Sequence, residues 1–156
     1  MNSDALCDQY LELMCEQLAR GQSVKMTARG HSMWPFIRDA DTVKIVPISE
    51  PISCGDVVCV RRDHTIILHR VVAIDDRGRL LTWGDALPSA DGWISMTAVY
   101  GIAHSLWRSG QPRTLVKGRR ALVAARILGN GRRQLKRFSR TRLGIFRRFG
   151  QDRRHE

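Results

Sequence analysis

One predicted loop contains a serine with the neighbours that an attacking hydroxyl needs. The loop reads GHSMWP over residues 30–35 and follows a short β-type run. A serine attacks a carbonyl only where its hydroxyl is exposed and a base lies within hydrogen-bond reach. Gly30 permits a sharp turn and the close approach of a substrate strand, and Pro35 stiffens the other end. We predict that Ser32 is a nucleophile and that Gly30, Met33 and Pro35 contact substrate; the alternative is a plain surface loop.

The longest β-type run, Thr65–Ile74, has a histidine near its centre. The two-residue period of a strand places His69 on the same face as Ile67 and Val71. A histidine among apolar neighbours is either a packed core residue or a general base that serves a nearby nucleophile. Because the chain also offers Ser32, we predict that His69 is the base.

Two carboxylates lie in the loop that follows the next predicted strand. Asp85 and Asp91 stand in the segment GDALPSADG, residues 84–92, which is rich in turn-forming residues. Such carboxylates are often only solvated turn residues. Either of them can instead accept the second ring N–H of His69, which fixes the tautomer and stabilises the imidazolium formed during attack.

These segments together resemble one known superfamily, that of signal peptidase I and the self-cleaving LexA-like repressors. The resemblance spans about residues 24–104 and consists of five motifs in order: GHSMWP (30–35), ISCGDVV (52–58), LHRVV (68–72), WGDALPSAD (83–91) and VYGIA (99–103). Most members use a lysine base. The endoplasmic-reticulum and archaeal type has histidine followed by arginine, which His69-Arg70 resembles.

The resemblance implies a role for each site residue. Ser32 is the nucleophile, and its own N–H donates to the oxyanion. His69 takes the proton from Ser32. Asp91, six positions after Asp85, is the carboxylate that orients His69, and Asp85 supports it. The chain departs from the histidine type at residues 86–87, where Ala-Leu replaces two asparagines.

The resemblance also implies the reaction, which is acyl transfer by a serine endopeptidase acting on a peptide or protein precursor. In related enzymes the substrate lies extended along an exposed strand edge, for which Val24–Ala28 is the predicted counterpart. No cofactor is expected. No metal site is expected either, because the four cysteines do not have the spacing of zinc ligands.

The pattern of elements predicts a mainly β fold: a partly open, antiparallel, barrel-like sheet of the LexA and signal-peptidase kind. Residues 1–21 form an N-terminal amphipathic helix, whose apolar residues include Tyr10, Leu13, Met14 and Leu18. Residues 22–108 form the peptidase domain, and residues 109–156 form a basic, helical or partly disordered tail. The predicted strands are Val24–Ala28, Thr42–Val46, Val57–Arg61, Thr65–Ile74, Arg79–Trp83 and Ala98–Trp107.

The net charge of +11 belongs to the tail. Residues 1–108 contain 11 Lys and Arg against 13 Asp and Glu, whereas residues 109–156 contain 15 against two. Residues 132–149 place apolar side chains near one helical face and arginines on the other. This pattern predicts peripheral contact with a membrane or an acidic partner. Nucleic acid is a less favoured partner, and a solvated tail is the remaining alternative.

The N-terminus has no basic segment followed by an apolar one, and no apolar run reaches the roughly 18 residues of a membrane span. We therefore expect a cytoplasmic protein, with peripheral membrane association as a variant of that prediction. Two other functions stay open. The first is a catalytically silent peptide-binding module of the same fold, and the second is a basic regulator associated with nucleic acid.

Overall fold

The protein consists of one antiparallel sheet with a helix in front of it in the chain. The computed structural model describes residues 3–62 and 65–118, together with 120, 122–124 and 127, but not the side chains of residues 3–8. The elements are α1 (Ser3–Ala19), β1 (Val24–Thr27), β2 (Thr42–Val46), β3 (Val57–Arg62), β4 (Thr65–Ile74), β5 (Leu80–Trp83), β6 (Gly92–Ile94), a 3₁₀ turn (Met96–Ala98), β7 (Val99–Arg108) and β8 (Gln111–Arg113).

The strand order is β1-β2-β7-β3-β4-β5-β6, with β8 paired to β7. All these pairs are antiparallel. The sheet is not closed: among the described strands, β1 and β6 end this order, and β8 pairs only with β7. The prediction of a mainly β, antiparallel and open architecture is confirmed at this level.

Two short strands were not predicted, because neither shows the alternation on which the prediction depends. β6 begins at a glycine and reads as turn sequence. β8 has three exposed residues, one of them Pro112. Ser109 and Gly110 both have positive φ, which is the turn that suits a two-residue hairpin. The sheet therefore continues to Arg113, and residues 111–113 are strand, not helical tail.

The centre of β4 is buried on both sides of the sheet. Leu68 belongs to one apolar cluster with Val43, Ile45 and Val57, and Leu18 of α1 packs there as well. Val71 belongs to a second cluster, with Val58, Val60 and Leu80. His69 and Arg70, between Leu68 and Val71, are consequently buried too. Buried polar side chains of this kind require hydrogen-bond partners.

The buried face of α1 differs from the predicted one. Leu11, Met14, Cys15 and Leu18 are buried, whereas Tyr10 and Leu13 are about half exposed. The buried residues follow the spacing i, i+3, i+4 and i+7 of a single helical stripe. None of the helices in the described part of the chain is long and apolar enough to cross a membrane. The basic segment 132–149 lies outside the described residues.

A buried ion pair holds the loop between β1 and β2 in place. Asp41 accepts hydrogen bonds from Nε and Nη2 of Arg108, both at 2.8 Å, and from the backbone N–H of Arg38 at 2.7 Å. Arg108 also donates to the carbonyl of Phe36, at 3.3 Å. Burial alone raises the pKa of Asp41, but the contacts with Arg108 and Arg38 outweigh it, so this pKa lies below its ordinary value.

We expect Asp41→Asn to lower the free energy of unfolding by about 2 kcal/mol at pH 7, the size of a charged hydrogen bond. A carboxyl whose pKa is lower in the folded state stabilises the protein above its unfolded pKa, and this contribution is lost as the pH falls through the folded pKa. Urea unfolding of both proteins at pH 7 and pH 3 should therefore give a smaller difference at pH 3. An equal difference at the two pH values would contradict the assignment.

Candidate active site

His69 and Asp91 form a buried hydrogen-bonded pair. Nδ1 of His69 lies 2.5 Å from Oδ2 of Asp91, and the two side chains are only 6% and 8% exposed. The same Oδ2 accepts the hydroxyl of Thr82 at 2.9 Å. An ionised carboxylate only accepts hydrogen bonds, so Nδ1 is the nitrogen that donates. In neutral His69 the lone pair is therefore on Nε2, which is the form that a general base requires.

Asp91 reaches the histidine because β5 and the segment after it fold back. Its N–H donates to the carbonyl of Thr82 at 2.8 Å, just before β6 begins. Nη1 of Arg62, on β3, lies 3.7 Å from the other carboxylate oxygen. The Arg62 side chain is 56% exposed, so this ion pair is weak. His69 and Thr82 are thus the main hydrogen-bond partners of Asp91.

Ser32 lies in the turn between β1 and β2 and is half-buried. Gly30 has a φ of 85°, in the region that favours glycine, and its N–H donates to Asp39 at 2.8 Å. The carbonyl of Ser32 accepts the N–H of Ala86 at 2.7 Å. This bond ties the serine loop to the loop that follows β5.

The loop after β5 approaches both His69 and Ser32. A methyl group built on Gly84 would stand 2.9 Å from Nε2 of His69, so the Gly84 main chain lies directly against the imidazole. Ala86, two residues later, holds the main chain of Ser32. In the described part of the chain, the Ser32 hydroxyl is not hydrogen-bonded to His69. Catalytic hydrogen bonds often tighten only when substrate binds, so this geometry is compatible with a Ser32–His69 pair.

The backbone N–H of Ser32 is available as a donor. Within the described residues, the backbone-to-backbone hydrogen bonds inside this turn come from the N–H groups of Trp34, Phe36 and Ile37, not from that of Ser32. An oxyanion formed by attack of Ser32 would lie close to this N–H. The role of this N–H as oxyanion donor stays a prediction of the resemblance.

Asp85 binds Arg70, and in the described part of the chain it forms no hydrogen bond with His69. Its two carboxylate oxygens accept Nε and Nη2 of Arg70 at 2.8 and 2.7 Å. Burial raises the pKa of Asp85, while the hydrogen bonds and charge of Arg70 oppose the rise. The charge of His69 also lowers the pKa of Asp85, so the supporting role of Asp85 stays a prediction beside its bond to Arg70. Successive residues of β4 point to opposite faces, so His69 and Arg70 have different carboxylate partners.

Two of the three residues predicted to contact substrate line a cavity beside Ser32, and the third does not. Gly30 and Met33 line a cavity that also reaches Ser32. Met33 is buried in the first apolar cluster, so it forms part of the cavity floor. Pro35 does not line this cavity, and its carbonyl accepts Nε of Arg38 at 3.4 Å.

Three site residues were not found from the sequence: Thr82, Arg62 and Gly84. Threonine and glycine near a strand end are too common to be diagnostic. Among the residues that the structure describes, no group of three or more His, Cys, Asp or Glu side chains could hold a metal ion. The chain matches no family model. No curated protein matches it either. A function is therefore argued from the geometry and from the motifs.

Proposed function

We propose that the protein is a serine endopeptidase in which Ser32 is the nucleophile, His69 the general base and Asp91 the residue that orients the base. One observation carries the proposal: the buried pair of His69 and Asp91 leaves Nε2 as the acceptor, and the loop beside Nε2 is hydrogen-bonded to Ser32. A histidine that only filled the core would also need a hydrogen-bond partner, but it would not need the loop beside its Nε2 to be bonded to a serine.

The reaction follows from these groups. Oγ of Ser32 attacks the scissile carbonyl while Nε2 of His69 takes its proton, and the N–H of Ser32 stabilises the oxyanion. His69 then protonates the leaving amine as the C–N bond breaks, which leaves an acyl-enzyme on Ser32. Water attacks this ester with His69 as base and releases the carboxylate product. Asp91 stabilises the imidazolium of His69 during both acylation and hydrolysis of the acyl-enzyme.

The substrate is an extended segment of a peptide or protein precursor. Within the described chain, β1 pairs only with β2, so its other edge is open to strand addition. Lys25 and Thr27 are exposed, whereas Val24 and Met26 are half-buried. A substrate strand along β1 would therefore pass beside the cavity that Ser32 lines.

The order of the five motifs supports the same proposal. It resembles the Ser–His type of the LexA-like and signal peptidase I superfamily, and we assign the finer fold of the sheet to that superfamily on this basis. Ala86-Leu87, which replaces the two asparagines of the Ser–His type, is held by other hydrogen bonds in this chain. Ala86 donates to Ser32, and the carbonyl of Leu87 accepts Nε1 of Trp83 at 3.1 Å.

The test is covalent labelling with a fluorophosphonate. Attack by Oγ forms an O–P bond and breaks the P–F bond; fluoride leaves and His69 takes the proton. We expect a single adduct on Ser32 by intact mass and peptide mapping, absent in Ser32→Ala and much slower in His69→Ala. Ser89→Ala and His104→Ala, which change exposed residues, are the matched controls and should label like wild type.

If folded wild type forms no adduct, or forms the same adduct as Ser32→Ala, the enzyme proposal fails. A peptide-binding module of the same fold then becomes the better interpretation. Circular dichroism of each variant separates loss of chemistry from loss of fold.

Gly84→Ala tests the close approach of the loop to the base. The new methyl group would stand 2.9 Å from Nε2 of His69 and 2.8 Å from Cδ1 of Leu87, so one of them must move. Displacing a catalytic group by about 1 Å costs about 10²-fold in rate. We expect the labelling rate of Ser32 to fall by about that factor, as measured in a time course with the fluorophosphonate.

Gly101→Ala is the matched control, because it also adds a methyl group at a crowded glycine without a positive φ. That methyl group would stand 2.6 Å from the carbonyl of Val46, away from the base. It should lower the free energy of unfolding by about 1–3 kcal/mol, with a much smaller effect on the labelling rate. If both variants slow labelling equally, the effect of Gly84→Ala is only structural.

A further inference from the structure

Thr82 is a polar residue at a core position of β5, where a valine of nearly the same shape would bury no hydroxyl. Its side chain is fully buried, and the residue is only 1% exposed. Alternation along β5 places it on the same face as Leu80, and its partner across the strand pair is Val71. Both neighbours belong to the second apolar cluster. Burying a hydroxyl among such residues is unfavourable unless it forms a hydrogen bond.

The partner of this hydroxyl is Asp91, which Thr82 binds at two points. The hydroxyl lies 2.9 Å from Oδ2 of Asp91, and the carbonyl of Thr82 accepts the N–H of Asp91 at 2.8 Å. An ionised carboxylate only accepts hydrogen bonds, so the hydroxyl is the donor. The oxygen that it binds, Oδ2, is also the one that accepts Nδ1 of His69. The two bonds therefore hold both the main chain and the carboxylate of Asp91.

Arg62 competes for the same carboxylate. Its Nη1 lies 3.7 Å from Oδ1 of Asp91, and its side chain is 56% exposed, so the guanidinium has room to move. An arginine binds a carboxylate best when both oxygens accept from the guanidinium. A rotation of Asp91 that gave Arg62 both oxygens would take Oδ2 away from His69. The hydroxyl of Thr82 opposes this rotation.

We propose that Thr82 is a positioning residue, which keeps the carboxylate of Asp91 on His69 and away from Arg62. The inference rests on the proposed function and adds a residue to that site. Thr82 does not touch the reacting atoms. It acts through Asp91, which in turn keeps the proton of neutral His69 on Nδ1 and leaves Nε2 as the acceptor.

Two substitutions at residue 82 of the full chain separate the hydroxyl from the shape of the side chain. Thr82→Val removes the donor, and we expect the fluorophosphonate to label Ser32 about 10- to 100-fold more slowly, which corresponds to one hydrogen bond to a charged group. Thr82→Ser keeps the hydroxyl, and we expect its labelling rate to lie within about 3-fold of the wild-type rate. If folded Thr82→Val labels as fast as wild type, or if folded Thr82→Ser is as slow as Thr82→Val, the proposal is overturned.

A control and a double variant test the two partners of the carboxylate. Thr97→Val is the matched control, because it also removes a hydroxyl hydrogen bond of 2.9 Å, to Ser95 at the exposed 3₁₀ turn, and it should label like wild type. The double variant Thr82→Val/Arg62→Gln should recover most of the rate lost in Thr82→Val, because it also removes the competing guanidinium. A double variant as slow as Thr82→Val would contradict the part of the proposal that concerns Arg62.

The tautomer of His69 separates this inference from the proposed chemistry. Nitrogen-15 spectra of the full chain with labelled histidine, assigned through His69→Ala, show which ring nitrogen of the neutral imidazole carries the proton. We expect the proton on Nδ1 in wild type and Thr82→Ser, and a shift of population towards Nε2 in Thr82→Val. If Ser32 is never labelled but the tautomer shifts in this way, the enzyme proposal fails and the positioning role stands. If wild type and Thr82→Val are labelled equally fast and have the same tautomer, the chemistry stands and the positioning role fails.

Discussion

Asp91→Asn should slow the acylation of Ser32 by about 10⁴-fold, the effect of this change in a triad where the carboxylate fixes the tautomer of the base. The asparagine can turn its amide N–H₂ towards Nδ1 of His69. The imidazole proton then moves to Nε2, which can no longer accept the proton of Ser32. The buried geometry stays nearly the same, because the two side chains differ only in one terminal group.

The measurement is the rate of labelling by fluorophosphonate, with the unfolding free energy determined on the same samples. Arg62→Gln is the control, because it removes the 3.7 Å ion pair to Asp91 but leaves the bond to His69 intact. We expect the labelling rate of this control to be within about 3-fold of the wild-type rate, because an exposed ion pair contributes little energy. If Asp91→Asn labels as fast as Arg62→Gln, then Asp91 does not orient the base.

Much of this site could be predicted because the relevant signals are local. Thr42–Val46 and Thr65–Ile74 begin and end as predicted, since both are rich in β-branched residues and are bounded by turn residues. The contact between His69 and Asp91 was predicted from a resemblance that sets the order of motifs along the chain. Local pattern and motif order together were sufficient to predict the pairing of His69 with Asp91.

The parts that could not be predicted depend on contacts between distant segments. Asp85 lies six residues before Asp91 in the same loop, and nothing in the sequence predicts that its partner is Arg70. The structure places Arg70 against Asp85, so that both carboxylate oxygens accept hydrogen bonds from the guanidinium. Likewise, the cavity needs α1, β1 and β4 together, so neither its volume nor its apolar walls follow from any one segment.

Arg70→Met should lower the free energy of unfolding by about 4 kcal/mol, because it leaves a buried carboxylate without its partner. Arg70 is fully buried and its partner Asp85 has a side chain only 2% exposed. Besides the two bonds to Asp85, Nη1 of Arg70 donates to the carbonyls of Gly55 and Val116, both at 2.8 Å. Its guanidinium also lies 5.4 Å from the centre of the Phe36 ring.

These contacts make Arg70 the link between four segments, so its loss should affect more than one loop. Gly55 lies in the turn before β3, Phe36 in the serine loop and Val116 in the segment after β8. In a domain stable by about 5–15 kcal/mol, a loss of 4 kcal/mol is a large fraction of the total. Urea unfolding followed by tryptophan fluorescence measures it, and a loss below about 1 kcal/mol would contradict the structural role.

Arg79→Met is the matched control, since it removes an arginine from an ion pair with Asp75 in which the Arg79 side chain is 49% exposed. We expect it to cost less than about 1 kcal/mol. The double variant Arg70→Met/Asp85→Leu should recover part of the stability lost in Arg70→Met, because it removes the unpaired carboxylate as well. Recovery would show that the cost comes from the buried charge. No recovery would mean that the bonds to Gly55 and Val116, which the double variant also lacks, account for most of it.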